Sequence, residues 1–194
     1  MPRTMYNRPI LPSVVLIILL FPAISPSRLW SSERSISVIK RPRIALVVGN
    51  GTYATAPLKN PRNDATDMAA VLASVGFDVR RELDADKRTM EEAIRDFGRN
   101  LNRGGIGLFF YAGHGMQVDG INYLIPVKTR IEKEEDIRYE AVDAGRVLAE
   151  MESAGNGLNV VILDACRDNP LSRSFRSCTK GPTRVDASTG TLIA

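Results

Sequence analysis

One histidine and one cysteine occupy matching points after two apolar runs of the sequence. His114, the only histidine in the 194 residues, comes three residues after "LFFY", and Cys166 comes three residues after "VVIL". A thiol beside an imidazole provides a nucleophile and its general base, which is the chemistry of covalent acyl transfer. If the two runs form neighbouring strands, both side chains emerge at the same edge of a sheet, and we predict that they act as this pair.

Glycines flank the histidine on both sides, in the order Gly113-His114-Gly115. Because glycine has no Cβ, it lets the backbone approach a substrate closely, and the Gly115 amide could point at a developing oxyanion. We therefore predict a catalytic base at His114. The alternative is structural, since a lone histidine at the end of an apolar strand is commonly a core residue and a lone cysteine after an apolar run is commonly buried and inert.

The second cysteine, Cys178, lies in a stretch rich in Ser and Arg. In an exported protein, a Cys166–Cys178 disulfide is another possible use of the thiol. One histidine and two separated cysteines cannot form a zinc site from protein ligands alone, so we predict no metal and no other cofactor. The stretch "GNGTYA" imitates a dinucleotide-binding motif, but prolines follow it before the next helix, so its glycines do not open that helix.

The elements that must position this chemistry alternate regularly from Arg43 onward. The hydrophobic pattern predicts strands at 43–49, 77–83, 105–113 and 158–166, helices at 61–76, 87–101 and 141–152, and a hairpin that turns at Asp119-Gly120. This alternation predicts an α/β fold, an open and mostly parallel sheet with helices on both faces. In such sheets, active groups gather beyond the carboxyl ends of the strands.

The N-terminal segment differs from this pattern. Residues 1–27 carry two arginines, then a short apolar run and then small residues, which is typical of a secretory signal peptide, and residues 28–42 resemble a linker. We therefore expect an exported protein, periplasmic or secreted. The alternative is an uncleaved N-terminal anchor, which is the one case in which we expect membrane contact.

The composition is typical of one globular domain, with 44% hydrophobic and 25% charged residues. The net charge of +4 comes from scattered Lys and Arg, without a basic run of five or interleaved aromatic residues. The sequence therefore predicts no nucleic-acid partner.

Two motifs together resemble a known family. "YAGHG" (111–115) and "DACRDNP" (164–170), whose histidine and cysteine are 52 positions apart, are similar to motifs of the caspase-like cysteine peptidases. An Asp at position 164 resembles the metacaspase branch and its bacterial relatives, as do "RIALVVGN", "LKNPRNDATDMAAVLASVGF" and "GINYLIPV". The likeness covers residues 43–194 and implies a caspase-like fold.

The resemblance also implies roles for individual residues. Cys166 would be the nucleophile, His114 the base and acid, and the amides of Gly115 and Cys166 the oxyanion hole. Asp64 and Asp164 would line the primary specificity pocket, where two carboxylates favour a guanidinium or an ammonium group, so cleavage after Arg or Lys is expected. From the residues alone, Asp64 is also explained as a charge at a helix N-terminus, and Asp164 as a hydrogen-bonding group at a strand end.

In the family, the stretch that corresponds to "GTLIA" (190–194) begins a strand leading into a smaller half. We therefore expect residues 43–194 to be the large-subunit-like part of a truncated catalytic domain, whose C-terminal half is missing and could be supplied by self-association or by a partner. The expected function is that of a cysteine-type endopeptidase acting on protein or peptide substrates. The alternative from another class is an exported, non-catalytic interaction module that retains the fold.

Overall fold

The computed structural model describes residues 41–101, 104–166 and 191–193. The predicted leader at 1–27, nearly all of the predicted linker and Cys178 lie outside these residues, so the leader and the Cys166–Cys178 disulfide stay predictions. In the described ranges, no helix combines the length and the apolar character needed to cross a membrane.

Strands and helices follow one another along the described part of the chain. The strands are β1 Arg43–Gly49, β2 Asp78–Leu83, β3 Ile106–Val118, β4 Ile121–Leu124, β5 Val142–Asp143, β6 Leu158–Cys166 and β7 Thr191–Ile193, and the helices are α1 Pro61–Ser74, α2 Lys87–Asn100, α3 Glu134–Glu140 and α4 Gly145–Ala154.

The sheet is mostly parallel, as the alternating pattern predicts. Strands β2, β1, β3, β6 and β7 pair side by side in parallel, while β4 pairs antiparallel with the second part of β3, and β5 pairs antiparallel with β4. The near-continuous apolar runs of β1 and β3 fit this arrangement, because helices cover both faces of a parallel sheet.

Side chains alternate between two cores along the central strands. Leu46, Val48 and Tyr111 pack in a core with α2 and α4. Phe110 and Ala112 pack on the opposite face with α1. Because strand residues alternate with a period of two, His114 continues the row of Phe110 and Ala112 on the α1 face.

Local residue chemistry explains where the helices begin and end. Pro61 occupies the start of α1, where its missing N–H costs nothing. The Asp86 carboxylate accepts a 3.0 Å hydrogen bond from the Thr89 N–H and caps the N-terminus of α2. Gly155, with φ of 61°, ends α4 in the left-handed conformation that glycine adopts readily.

The hairpin turn is confirmed, but the strand before it differs from the prediction. Asp119 and Gly120 have φ of 50° and 79°, as expected for a two-residue turn with both central φ angles positive. The predicted strand at 105–113 and the first arm of the hairpin are one strand of 13 residues. His114 therefore lies inside β3, because β6 and β4 provide pairing partners for it and for Gly115.

The segment between β4 and β6 also differs from the prediction. The predicted helix at 141–152 begins only at Gly145 and ends at Ala154, because Val142 and Asp143 pair with β4. Helix α3 was not predicted: it is highly charged, and Ile137 is its buried residue. Its signal is local, since the Asp136 carboxylate accepts from the backbone N–H of Lys133 at 3.0 Å and caps the helix.

Candidate active site

His114 and Cys166 are direct register partners in the adjacent parallel strands β3 and β6. Neighbouring strands lie about 4.8 Å apart, so the two backbones are close enough for a side-chain dyad. The condition on which the predicted dyad depends, that the two apolar runs form neighbouring strands, is therefore met. The structure describes the backbone of Cys166, and the position of its thiol lies outside what it describes.

The His114 imidazole is buried, with 4% of the residue exposed. It packs against Tyr53 with ring centroids 4.4 Å apart, and its Nε2 lies 2.7 Å from the carbonyl oxygen of Ala56. A carbonyl oxygen can only accept, so this contact assigns the proton of the neutral ring to Nε2. The other nitrogen, Nδ1, is buried without a hydrogen-bond partner among the described residues. No described residue therefore engages its lone pair, which can accept a proton.

The environment of His114 favours the neutral ring. Burial lowers the pKa of His114 below its ordinary value, and the hydrogen bond to Ala56 offsets part of that effect. An imidazole with a lowered pKa is unprotonated at neutral pH. This is the protonation state that a general base requires.

Two tyrosine hydroxyl groups hold the backbone on either side of this ring. The Tyr53 hydroxyl accepts from the backbone N–H of His114 at 3.0 Å and donates to the carbonyl of Ile125 at 3.0 Å. The Tyr111 hydroxyl donates to the carbonyl of His114 at 2.7 Å. The Ile125 N–H donates to the same carbonyl at 3.0 Å. The histidine backbone is therefore fixed from both sides.

The structure gives the flanking glycines a packing role. A Cβ on Gly113 would lie 2.6 Å from the Tyr111 hydroxyl and 2.7 Å from the Tyr53 hydroxyl. A Cβ on Gly115 would lie 2.9 Å from the Cβ of Ala165. Contacts this short do not occur with real side chains, so Gly113 leaves room for the two hydroxyl groups and Gly115 leaves room for β6.

The backbone N–H of Gly115 points to the flank of β3 on which β6 lies. Gly115 faces Leu124 of β4, and the Ile125 N–H bonds to the carbonyl of His114. This combination identifies Gly115 and Leu124 as a non-hydrogen-bonded pair, in which both backbones direct their N–H and C=O groups away from each other. The Gly115 amide is thus directed away from β4, towards the side of Cys166.

The two aspartates predicted for the specificity pocket lie on the same face of the sheet. Asp164 is exposed in β6 and pairs with Ala112, which in turn pairs with Gly49 of β1. The first turn of α1, which contains half-buried Asp64, packs on this row: a Cβ on Gly49 would lie 2.6 Å from the Cβ of Ala65. Asp64 also lies in the first turn of α1, at the helix N-terminus, and its part in a specificity pocket stays a prediction.

Sequence reasoning missed three of the residues that shape this site. Ala56 contributes its carbonyl oxygen, a group that every residue has, so no side-chain pattern could indicate it. Tyr53 lies in "GNGTYA" and Tyr111 in "YAGHG", and their polar hydroxyl groups beside glycines were the available signal. Within the described residues, no group of three or more His, Cys, Asp or Glu side chains is arranged to hold a metal ion.

Comparison with known proteins defines the class to which this fold and site belong. The family model of the caspase domain, Peptidase_C14, matches residues 42–191. The chain therefore belongs to the caspase-domain family, as the two motifs indicated.

Among individual proteins, the chain is similar to the human mucosa-associated lymphoid tissue lymphoma translocation protein 1. The two are 32% identical over 131 residues, which cover 66% of this chain and 15% of the human protein. The mouse homolog is 31% identical over 139 residues, covering 71% of this chain and 16% of its own length. The chain thus spans a small part of these curated relatives.

Two solved structures are similar to this chain, and the first of them agrees with the family assignment at the level of the fold. The crystal structure of protein GSU0716 from Geobacter sulfurreducens superposes with a TM-score of 0.52 at 23% identity, covering 64% of this chain and 51% of that chain. The Drosophila initiator caspase Dronc gives a TM-score of 0.49 at 9% identity, covering 77% of this chain and 52% of that one. Together with the family model, the first likeness confirms the predicted caspase-like α/β fold.

Proposed function

We propose that the chain is a cysteine-type endopeptidase in which Cys166 is the nucleophile and His114 is the general base. The observation that supports this most directly is the register of β3 and β6, which pairs the two residues. The buried Nδ1 of His114, which has no hydrogen-bond partner in the described part of the chain, supplies the proton acceptor. Protein or peptide substrates follow from membership of a peptidase family.

The proposed reaction proceeds by acyl transfer. Nδ1 of His114 takes the proton of the Cys166 thiol, and the thiolate forms a bond to the carbonyl carbon of the substrate. His114 then gives that proton to the nitrogen of the leaving segment, and the C–N bond breaks to leave a thioester. A water molecule, deprotonated by His114, attacks the thioester, and the thiol is restored when the C–S bond breaks and the proton returns.

The amides of Gly115 and Cys166 are the proposed donors to the oxyanion. Charge develops on the substrate oxygen when the thiolate attacks, and backbone N–H groups already in place stabilise it without reorganisation. The direction of the Gly115 N–H, away from β4 and towards the flank of Cys166, supports this assignment. The Tyr53 and Tyr111 hydroxyl groups act through the His114 backbone as positioning groups.

Asp64 and Asp164 are proposed to bind an Arg or Lys side chain immediately before the cleaved bond. Asp164 precedes Cys166 by two residues in β6 and is exposed, so a substrate can reach it. Asp64 approaches the same face from the first turn of α1. Two carboxylates on one face favour a cation and disfavour an acidic side chain at that position.

Export and association with a second chain also belong to the proposal. Residues 1–27 have the composition of a signal peptide. Strand β7 pairs with β6, and within the described residues no further strand continues the sheet beyond it. A strand from a second copy or from a partner could extend the sheet at this edge.

A covalent probe tests the proposed function. The full chain is treated with a peptide electrophile that carries Arg before the reactive carbon, and with a matched Asp-bearing probe, and the modified residue is located by mass spectrometry. We expect the Arg probe to label Cys166, and the Cys178→Ala variant to behave like the parent. Equal labelling by both probes would overturn the specificity. Labelling of Cys178 in preference to Cys166 would overturn the dyad.

A further inference from the structure

A pocket of about 80 Å³ lies directly beside the candidate base. One wall is the His114 ring, a second comes from Tyr53 and Thr55 in the loop after β1, and a third comes from the segment after β4, including Ile125 and Lys128. A cavity needs roughly 10–15 Å³ to hold one water molecule, so this pocket can accept a side chain.

The pocket lies on the opposite flank of β3 from Cys166. The side-chain amide of Asn50, which follows β1, donates to the carbonyl of Ile125 at 3.3 Å. The Val127 N–H donates to the carbonyl of Ala85 at 3.1 Å. These bonds hold the segment after β4 over the end of β1, whereas β6 pairs with the other edge of β3. His114 therefore stands between the nucleophile and the pocket.

The order of these groups matches the two halves of a cleaved peptide. In the proposed reaction, the segment before the cleaved bond remains on Cys166 as a thioester. The segment after the bond leaves as an amine that receives its proton from His114, so it must begin within hydrogen-bond reach of that imidazole. A pocket bounded by the same imidazole, on the side away from Cys166, is placed to receive this leaving segment.

Lys128 gives the pocket its charge. Apart from the His114 imidazole, the other side chains that line the pocket are apolar or carry a hydroxyl group. No carboxylate among the described residues lies within ion-pair distance of the Lys128 ammonium group. The pKa of Asp86 is lowered mainly by hydrogen bonds from Thr89 and to a smaller extent by the positive charge of Lys128. The Asp86 carboxylate already accepts from the N–H and hydroxyl groups of Thr89, at 3.0 Å and 2.8 Å. As far as the described part of the chain is concerned, the ammonium group is therefore available to a ligand.

The backbone fixes two residues at the pocket in a conformation that is uncommon for their type. Ala56, beside Thr55 of the wall, has φ of 55°, and Lys128 has φ of 63°. Residues other than glycine rarely adopt this left-handed conformation, and it persists where the surrounding structure imposes it. The Ala56 conformation accompanies the carbonyl contact to His114, and the Lys128 conformation places a cation on the rim.

We propose that this pocket is the subsite for the leaving segment, and that Lys128 selects an acidic side chain in the first two residues after the cleaved bond. This inference rests on the proposed function, since it assigns the pocket by the side of His114 on which the product amine departs. The expected substrates therefore carry a basic residue before the cleaved bond and an acidic residue just after it.

Binding of product-like peptides tests the subsite without turnover. The full chain with Cys166→Ala is titrated with the amides of Ala-Glu, Ala-Gln, Glu-Ala and Gln-Ala, all with free amino termini, while the ring signals of His114 are followed by NMR. Because His114 is the only histidine, these signals are unambiguous. We expect an acidic peptide to bind about two- to fivefold more tightly than its Gln counterpart, the range of an exposed ion pair.

Two lysine variants distinguish binding at the proposed subsite from a general attraction of acidic peptides to the positively charged chain. Lys128→Gln should abolish the preference for Glu over Gln, and Lys59→Gln, a control at an exposed lysine outside the pocket, should retain it. The subsite is wrong if Glu and Gln peptides bind equally, if neither binds, or if the preference survives Lys128→Gln.

Cleavage assays on the unmodified chain show which proposal has failed. The substrates have a fixed Arg before the bond and either Glu or Gln after it. Cleavage after Arg at equal rates, with no effect of Lys128→Gln, would overturn the subsite and leave the proposed function in place. A Lys128-dependent binding preference without any cleavage would support an acidic-peptide site at the pocket, and would overturn both the peptidase activity and the assignment of that site to a leaving segment.

Discussion

The Tyr111 hydroxyl donates a 2.7 Å hydrogen bond to the carbonyl oxygen of His114, three residues further along the same strand. In a regular strand, side chains i and i+3 point to opposite faces, so this bond joins a side chain of one core to the backbone that carries the candidate base. The Tyr53 hydroxyl completes the arrangement by accepting from the His114 N–H. The backbone that carries the imidazole is thus held by two tyrosines, one from the same strand and one from the loop after β1.

Removing the Tyr53 hydroxyl should lower the free energy of unfolding more than removing the Tyr111 hydroxyl. Tyr53→Phe removes the hydroxyl oxygen that accepts from the buried N–H of His114, so we expect a loss of about 1–3 kcal/mol in the free energy of unfolding. Tyr111→Phe leaves the His114 carbonyl with the Ile125 N–H, so the loss should be about 0.5–1.5 kcal/mol. Urea unfolding of both variants measures this, and the reverse order of stability would show that the hydroxyl network is assigned wrongly.

The protonation state of His114 should be directly visible. The contact from Nε2 to the Ala56 carbonyl predicts a neutral ring with the proton on Nε2 and none on Nδ1 at pH 7. Nitrogen-15 NMR distinguishes the two tautomers, and the single histidine removes any problem of assignment. We expect a pKa below the ordinary value because burial disfavours the charged ring. A protonated Nδ1, or titration above the ordinary value, would contradict the assigned tautomer and its environment.

Stability should fall on acidification because of the same group. The folded protein binds the His114 proton less tightly than the unfolded chain, whose pKa is about 6.5. The stabilisation of the neutral ring is therefore complete above about pH 6.5 and is lost as the pH falls through the lowered folded-state pKa. The slope is at most about 1.4 kcal/mol per pH unit for one proton.

The His114→Gln variant provides the control for this pH dependence. In the window just below pH 6.5, the free energy of unfolding of the parent should decrease more steeply than that of the variant. Since the chain has no other histidine, the difference between the two curves reports this ring. Parallel curves through that window would mean that His114 has the same pKa in the folded and unfolded chains.

Cys166 should be the more reactive of the two thiols. A neighbouring imidazole stabilises the thiolate, and the register places Cys166 beside His114. We expect iodoacetamide to modify Cys166 faster than Cys178, and His114→Gln to slow the first reaction without changing the second. Time-resolved mass spectrometry follows both sites in one sample. Equal rates that are insensitive to the variant, or a disulfide between the two cysteines, would contradict the dyad.

Asp164→Asn should weaken recognition of a basic substrate with little change in stability. Asp164 is exposed, so its removal leaves no buried group without a partner, whereas a bound guanidinium would lose a charge-assisted hydrogen bond of about 1.5–3 kcal/mol. The rate of labelling by the Arg-bearing probe should fall roughly 10- to 150-fold, while iodoacetamide labelling stays constant. Asp67→Asn, at an exposed position of α1, is the matched control. An unchanged labelling rate would remove Asp164 from the specificity pocket.

Much of the fold was predictable because its signals are local. Strand β6 has the predicted bounds of 158–166, since an apolar run between turn residues needs no information from elsewhere. The turn at Asp119-Gly120 was predictable for the same reason, because its backbone angles depend on the two residues themselves. The pairing of His114 with Cys166 followed from equal offsets after two apolar runs, provided that the runs were neighbours.

The sequence pattern was insufficient where a distant partner decides the structure. Strand β3 continues through His114 because β6 and β4 offer hydrogen bonds to its successive segments. Val142 and Asp143 are a strand, and not the start of a helix, because β4 pairs with them. Backbone groups must be satisfied wherever they are buried, and the partner that satisfies them is set by tertiary contacts.

The sequence by itself determined which residues are candidates for chemistry in this protein: a single imidazole, a thiol after an equivalent strand and two aspartates predicted to lie near them. Tertiary structure decided the state of that imidazole. Ala56 and Tyr53 contact His114 across 58 and 61 residues of chain, and the pocket beside it is assembled from two loops and a strand. The burial of the imidazole, its tautomer and its accessibility to a substrate all depend on such long-range contacts. These three properties are set by the groups that fill the space around the side chain, and not by its neighbours in the sequence.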